Sequence, residues 1–206
     1  MRLVLASGNP DKLAEVRAIL EGSPHEIVPV TDLFPGWDCE ETGSTIQENA
    51  AIKALAAARA TSMPCVADDT GLFVPALGGA PGVYSARYAG SSASYADNVS
   101  KLLRVLKWED GASRRAFFRT AAAFARPDGG VVTATGEVEG MILDEPAGSG
   151  GFGYDPVFFV PSLGSTYAEC PPCEKNASSH RARAFAKLVS LIRQDPLPVR
   201  GSELQR

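Results

Sequence analysis

Apolar and polar positions along this chain follow two periods, and the change from one to the other marks the predicted elements. Leu3-Val4-Leu5-Ala6 is a short unbroken apolar run that stops at Ser7-Gly8-Asn9-Pro10, which predicts a buried strand ending in a turn. From Asp11 to Leu20 the spacing becomes helical, with Leu13, Val16, Ile19 and Leu20 on one face. Glu26 to Val30 predicts a second strand whose proline suits a sheet edge. Thr45-Ile46-Gln47-Glu48 has capping-box spacing and opens an alanine-rich helix expected to run to about Ala60. A strand is expected to start at Pro64 and lead through Cys65-Val66-Ala67 to Asp68-Asp69, with the two carboxylates at or just past its end. Tyr95 to Leu106 is predicted helical, with Val99, Leu102, Leu103 and Leu106 inward. Ala116 to Ala125 and Val131 to Val138, joined by Pro127-Asp128-Gly129-Gly130, predict a hairpin of small, apolar and hydroxyl side chains with a scaffold role. Val157 to Val160 predicts a last strand, and a helix capped by Ser178 or Ser179 is expected to reach about Arg193. Asp195 to Arg206, polar and proline-bearing, is expected to be a loose tail.

A length of 206 residues suits one domain or two tightly joined lobes. No apolar stretch approaches a membrane span, and the first apolar run is too short for a signal peptide, so a cytoplasmic protein is expected. The net charge of −4 argues against broad binding to nucleic-acid backbones. Among the cysteines Cys39, Cys65, Cys170 and Cys173, only Cys170-Pro171-Pro172-Cys173 has suggestive spacing. A structural zinc site needs a second ligand pair, so these thiols are read as reduced and unligated.

Candidate chemistry gathers at five places. Asp68 and Asp69 repel each other beside apolar sequence, and a divalent cation would compensate them; a solvated turn would too. Ser7-Gly8-Asn9 before a helix, with Lys12 in its first turn, has the makings of a phosphate cradle, although it lacks the second glycine and Lys-Ser/Thr pair of a P-loop. Glu40 and Glu41 precede a helix start and serve either its dipole or a metal. In the glycine-rich run Gly148 to Pro156, Phe152 and Tyr154 could stack on a base or fill the core, and Asp155 could accept a hydrogen bond. His180 and Arg181 would lie in the first turn of the last helix, where cations oppose the dipole unless they face an anion or a polar ligand.

Taken in order, Ser7-Gly8-Asn9-x-x-Lys12, Glu41-Thr42-Gly43 with Glu48-Asn49-Ala50 and Lys53, Ala67-Asp68-Asp69-Thr70-Gly71-Leu72, Gly78-Gly79-Ala80-Pro81-Gly82, Gly151-Phe152-Gly153-Tyr154-Asp155-Pro156 and Glu174-Lys175-Asn176-Ala177-x-x-His180-Arg181 form one pattern. With it the chain resembles, from about Leu3 to Arg193, the inosine/xanthosine triphosphate pyrophosphatases, also called Ham1-like proteins. The resemblance implies an α/β fold in which a long twisted mixed sheet, flanked by helices, runs through two lobes with the substrate cleft between them; residues 1–194 would form that unit. It implies a Mg²⁺-dependent homodimer that hydrolyses dITP, ITP and XTP to the monophosphate and pyrophosphate. Asp69 is then the expected general base. Glu40 or Glu41, with Asp68 and Asp69, would hold the metal. Ser7, Gly8, Asn9, Pro10, Asp11, Lys12, Lys53, Thr70, Phe152, Gly153, Tyr154, Asp155, Lys175, His180 and Arg181 would bind substrate.

The chemistry of these residues agrees. Lys12, Lys53, Lys175 and Arg181 suit a polyanion, with the Gly8 and Asn9 amides beside them. Hydrogen-bond donors from His180, Arg181 or nearby backbone would welcome the O6 of a 6-oxopurine and leave adenine unpaired. A pyrophosphatase acting on other modified nucleotides, or a nucleotide-binding module without hydrolysis, are the competing readings.

Overall fold

The computed structural model describes residues 2–109 and 111–194. The tail expected from Asp195 onward lies outside the described residues. In chain order the elements are β1 (Arg2–Leu5), α1 (Pro10–Ile19), β2 (Glu26–Pro29), α2 (Val30–Leu33), α3 (Ile46–Thr61), β3 (Cys65–Phe73), β4 (Pro81–Gly82), α4 (Tyr95–Val105), β5 (Arg115–Ala125), β6 (Val131–Ile142), β7 (Phe158–Val160), β8 (Ser165–Thr166), α5 (Pro172–Ser178) and α6 (His180–Gln194). The strands form one mixed sheet in the order β2-β1-β3-β5-β6-β7-β8, with β4 added to the end of β3. β1 lies parallel to β2 and β3, and the other pairs are antiparallel. The proline-bearing strand is at the edge, as its composition predicts.

Local sequence explains most of these elements. Thr45 and Glu48 close the capping box at the start of α3, and the predicted apolar faces of α1 and α4 point into the core. β3 differs from expectation. It does not end at the acidic pair but runs to Phe73, because β5 pairs with it residue by residue, setting Asp68 opposite Ala122 and Asp69 opposite Ala121. β6 also continues past Val138 to Ile142, paired with β5 and then β7. Lys175, expected on a lead-in to the last helix, stands on the short helix α5.

The two faces of the sheet bury different layers. α3 lays Ala50, Ala54, Ala57 and Ala58 against Ala67, Ala121, Ala123 and Ala125, and only such small side chains allow so flat an approach. The opposite face carries α1 and α6, with Val16, Leu20, Phe185 and Leu188 packed on Leu3, Leu5, Val66 and Phe124. A third cluster, built from α4, the far ends of β3, β5 and β6, and β7, holds the large side chains Leu102, Phe118, Phe158 and Tyr167. Each such burial contributes about 1.5–3 kcal/mol.

One glycine controls how closely α6 approaches the sheet. A Cβ on Gly136 of β6 would stand 2.1 Å from the His180 carbonyl oxygen and 2.5 Å from the Ala184 nitrogen. Gly136→Ala is therefore expected to push the start of α6 off the sheet and to cost about 1–3 kcal/mol, typical of overpacking. Urea unfolding midpoints measure this, and an unchanged midpoint would show that α6 has room to move.

Candidate active site

The site forms where β1 stops. β1 pairs with β3 only as far as Leu5 beside Val66, and β4 joins at Leu72. Between those points this edge of β3 has no neighbouring strand among the described residues, and Asp68, Asp69 and Thr70 lie on that free stretch. Successive side chains of a strand point to opposite faces. Asp69 turns to the α3 face, where Asn49 Nδ2 donates to its Oδ2 at 3.3 Å and Lys53 Nζ to its Oδ1 at 3.4 Å. Asp68 turns to the α6 face, 3.3 Å from Lys12 Nζ and 3.0 Å from Arg181 Nη2. The repulsion foreseen between neighbouring carboxylates is thus relieved by the pleat, with separate cations on each side.

These surroundings drive the two acids apart. Burial raises the carboxyl pKa of Asp68, but the charges of Lys12 and Arg181 outweigh it and hold the group well below the usual carboxylate range. Burial dominates at Asp69 and pushes its carboxyl up. Lys53 Nζ also holds Glu41 Oε1 at 2.6 Å, so Glu41 and Asp69 share one ammonium. Arg87 stands 3.7 Å from Glu41 on its far side.

Glu15 of α1 is the second hub. Its carboxylate accepts from Lys175 at 2.7 Å and from Arg181 Nη1. Lys175 also donates to Asp155, whose Oδ2 accepts from the Phe152 amide at 2.8 Å. A Cβ on Gly151 would fall 2.1 Å from that same oxygen, so the glycine-rich loop needs its glycine there. Phe152 lies under both cations, its ring centre 5.0 Å from Lys175 Nζ and 5.7 Å from the Arg181 guanidinium carbon.

One cleft joins these groups. Asn9, Lys12, Glu41, Asp69 and Thr70 line it, together with Phe152, Gly153, Tyr154, Asp155, Lys175, His180 and Arg181. Other predicted residues stand around it. Lys53 and Asp68 are buried behind the wall, bonded to residues that line it. Ser7, Gly8, Pro10 and Asp11 belong to the turn that carries Asn9. Within that turn the Asn9 amide is engaged by Ser7 Oγ, and the Asp11 and Lys12 amides by Asn9 Oδ1. Glu40 is exposed and lies outside the lining, whereas Glu41 is inside it. The described residues include no cluster of three His, Cys, Asp or Glu side chains placed to hold a metal by themselves.

A model of the Ham1 family matches residues 3–191. This chain belongs to the Ham1 family. A dITP/XTP pyrophosphatase of Geobacter sulfurreducens is 50% identical over 91% of this chain and 94% of its own length. The Ham1 protein structure from Coxiella burnetii superposes with a TM-score of 0.84 at 44% identity, covering 94% of this chain and 99% of that one. That of Staphylococcus aureus superposes with a TM-score of 0.82 at 39% identity, covering 95% and 100%.

Several parts of this Ham1 cleft were not visible in the sequence pattern. The hairpin read as scaffold supplies Phe118, which stacks on His180 at 4.6 Å, and Thr120, which bonds to it. Tyr95, at the start of α4, lines the cleft and receives the Asn9 side-chain amide at 3.0 Å. Glu15 could have been suspected, since it stands three positions after Lys12 on one helix face. Thr120 and Phe118 carry no such local signal. Tyr154 divides between the two open readings: it lines the cleft but belongs to the core, with its hydroxyl donating to the Ser85 carbonyl.

The ion pairs of Asp68 make it a measurable contributor to stability. Asp68→Asn leaves Lys12 without its ion-pair partner and Arg181 with Glu15 alone, and breaking a buried pair costs about 3–5 kcal/mol. Because the folded pKa is depressed, this stability is present above the unfolded carboxylate value of about 4 and is lost as pH falls through the lower folded value. Unfolding experiments across pH should find the gap between wild type and variant wide at neutrality and closing in acid. A gap independent of pH would count against the assignment.

Proposed function

We propose that this chain hydrolyses dITP, ITP and XTP to the nucleoside monophosphate and pyrophosphate. One observation carries the reading. A single cleft is lined both by the aromatic rings of Tyr95, Phe118 and Phe152 and by Lys12, Glu41 and Asp69, the groups that a purine and a phosphate chain need. The dITP/XTP pyrophosphatase from Geobacter sulfurreducens, half identical to this chain, supports the choice of substrate.

The charge balance calls for a metal. Glu15, Glu41, Asp68, Asp69 and Asp155 meet Lys12, Lys53, Arg87, Lys175 and Arg181, so the site is close to neutral. A triphosphate with its several negative charges gains little from such a site unless a divalent cation accompanies it. The donor set fits Mg²⁺, which takes hard oxygen ligands and is held by one or two carboxylates plus substrate phosphates. Glu41 and Asp69, which share Lys53, are the residues to hold it. Asp68, on the opposite face and committed to Lys12 and Arg181, instead organises those cations. When bound, the ion supplies neutralisation of phosphate oxygens and a more acidic water.

The chain's own residues supply the rest. Lys12 of α1, whose Nζ reaches the Asp68 carbonyl on the free edge of β3, and the turn from Ser7 to Asp11 receive the phosphate chain. Asp69, its pKa raised by burial, accepts a proton from the water that attacks the α-phosphorus. The bond between that phosphorus and the α–β bridging oxygen breaks, and pyrophosphate leaves. Lys53 donates to Asp69 and fixes its orientation. Phe152 offers its ring to the base. On the family resemblance alone we also read a cytoplasmic homodimer and a catalytic unit of two lobes over residues 1–194.

Asp69→Asn should lower turnover of ITP and dITP by about 100-fold or more, the usual contribution of a general base, with pyrophosphate assayed directly as the product. Unimpaired hydrolysis in that variant would remove Asp69 from the mechanism. Glu41→Gln is expected to raise the Mg²⁺ concentration needed for half-maximal turnover, and Glu40→Gln to leave it unchanged. The reverse order would put the metal on Glu40. Full activity in excess chelator would exclude it from both.

A further inference from the structure

His180 is buried, stacked on Phe118, and held through only one of its two ring nitrogens. Nδ1 lies 2.6 Å from Thr120 Oγ1. Nε2 has no hydrogen-bond partner among the described residues, and His180 lines the cleft. Thr120 Oγ1 in turn lies 2.7 Å from Thr70 Oγ1, which is 3.2 Å from Asp68 Oδ2. A chain of four polar side chains therefore runs from a buried carboxylate to an imidazole.

The direction of that chain follows from proton counting. Asp68, ionised between Lys12 and Arg181, only accepts. Its Oδ2 already accepts from Arg181 Nε and Nη2, at 3.3 and 3.0 Å, and carries the charge that Thr70 faces. Thr70 donates its one hydroxyl proton to Oδ2 and accepts from Arg181 Nη2 at 3.2 Å. Its remaining lone pair accepts the proton of Thr120. Thr120, having given up its only proton, accepts from His180, which must then carry its proton on Nδ1. Running the chain the other way would point a lone pair of Thr70 Oγ1 at the anionic Oδ2 3.2 Å away, with no proton between them. Burial, with Arg181 and Lys175 nearby, keeps the imidazole neutral, so Nε2 is left with a lone pair.

We propose that Thr120 is a positioning residue that locks His180 as the Nδ1–H tautomer, so that Nε2 accepts a hydrogen bond from the N1–H of a 6-oxopurine. The proposal rests on the purine triphosphate reading above and reverses the expectation that His180 donates to O6. Hypoxanthine and xanthine both carry a proton on N1. Adenine has a lone pair there and would meet a second lone pair on Nε2. The device separates ITP, dITP and XTP from ATP but not from GTP, whose base also bears N1–H. Gly136 makes the arrangement possible: it pairs with Thr120 in the sheet and lets the start of α6 descend onto both strands.

The test begins with nitrogen NMR on protein labelled with ¹⁵N-histidine. The chain has two histidines, and His25→Gln assigns the signals. His180 should appear as the Nδ1–H tautomer in wild type and in Thr120→Ser, and should lose that preference in Thr120→Val. In turnover, Thr120→Val should lower the ratio of kcat/KM for ITP over ATP by about tenfold or more, as expected when a polar reading contact is lost. The ratio for ITP over GTP should hold, and Thr120→Ser should restore wild-type discrimination. A simple packing defect would depress all three nucleotides together. An Nε2–H tautomer in wild type, or an unaltered ITP-to-ATP ratio in Thr120→Val, overturns the proposal. If Thr120→Val does not fold, the wild-type spectrum alone decides. A wild-type enzyme that turns over none of these nucleotides refutes the substrate reading, while the tautomer stands or falls on its spectrum.

Discussion

Two adjacent side chains of a strand cannot face the same way, and this site is arranged around that restriction. Asp68 and Asp69 are neighbours in sequence, yet one looks toward α6 and the other toward α3. Groups from both faces can meet at one cleft only where the sheet has an open edge. β1 provides it by stopping at Leu5, and the chain then turns through Ser7 to Asn9 and brings Lys12 back against the exposed carbonyl of Asp68 at 3.4 Å. A ligand at that edge touches groups from both layers, at the carboxyl end of a parallel strand where α/β sheets commonly bind their ligands.

The same division governs the electrostatics. Five acids and five bases are gathered within one site, and few of them are open to water. Buried ion pairs return little net stability once desolvation is counted. Their use here is positional. Asp68 and Glu15 hold Arg181 from two sides, and Glu15 and Asp155 hold Lys175. The cations are therefore fixed before any substrate arrives, and the ordering cost falls on folding.

Glycines set the distances that charge alone could not. Gly136 lets the first turn of α6 sit directly on the hairpin, which places His180 beside Thr120. Gly151, at φ +65°, makes room for the Asp155 carboxylate that the Phe152 amide and Lys175 share. A side chain at either point would separate the aromatic wall of the cleft from its charged floor.

Much of this was legible in the chain. The helix faces of α1 and α4, the capping box of α3, the edge position of β2 and the six ordered motifs were all local patterns, and periodicity or turn chemistry reports such patterns directly. Lys12, Asp69, Phe152, Lys175 and Arg181, drawn from different motifs, line one cleft. Other features depended on partners far away in sequence. β3 runs through the acidic pair because β5 continues to pair with it. Glu41 enters the cleft and Glu40 does not because α3 offers Lys53 on one side only. Thr120 looks like scaffold until α6 is packed over it. The sequence by itself determined which side chains carry charge, which elements form and which family the chain resembles, because these depend on residue type and short spacing. Only the tertiary structure decided which face each carboxylate takes, which acids share a cation and which way His180 presents its nitrogen. Those follow from strand register and the close packing of helix on sheet, and neither leaves a mark on local sequence.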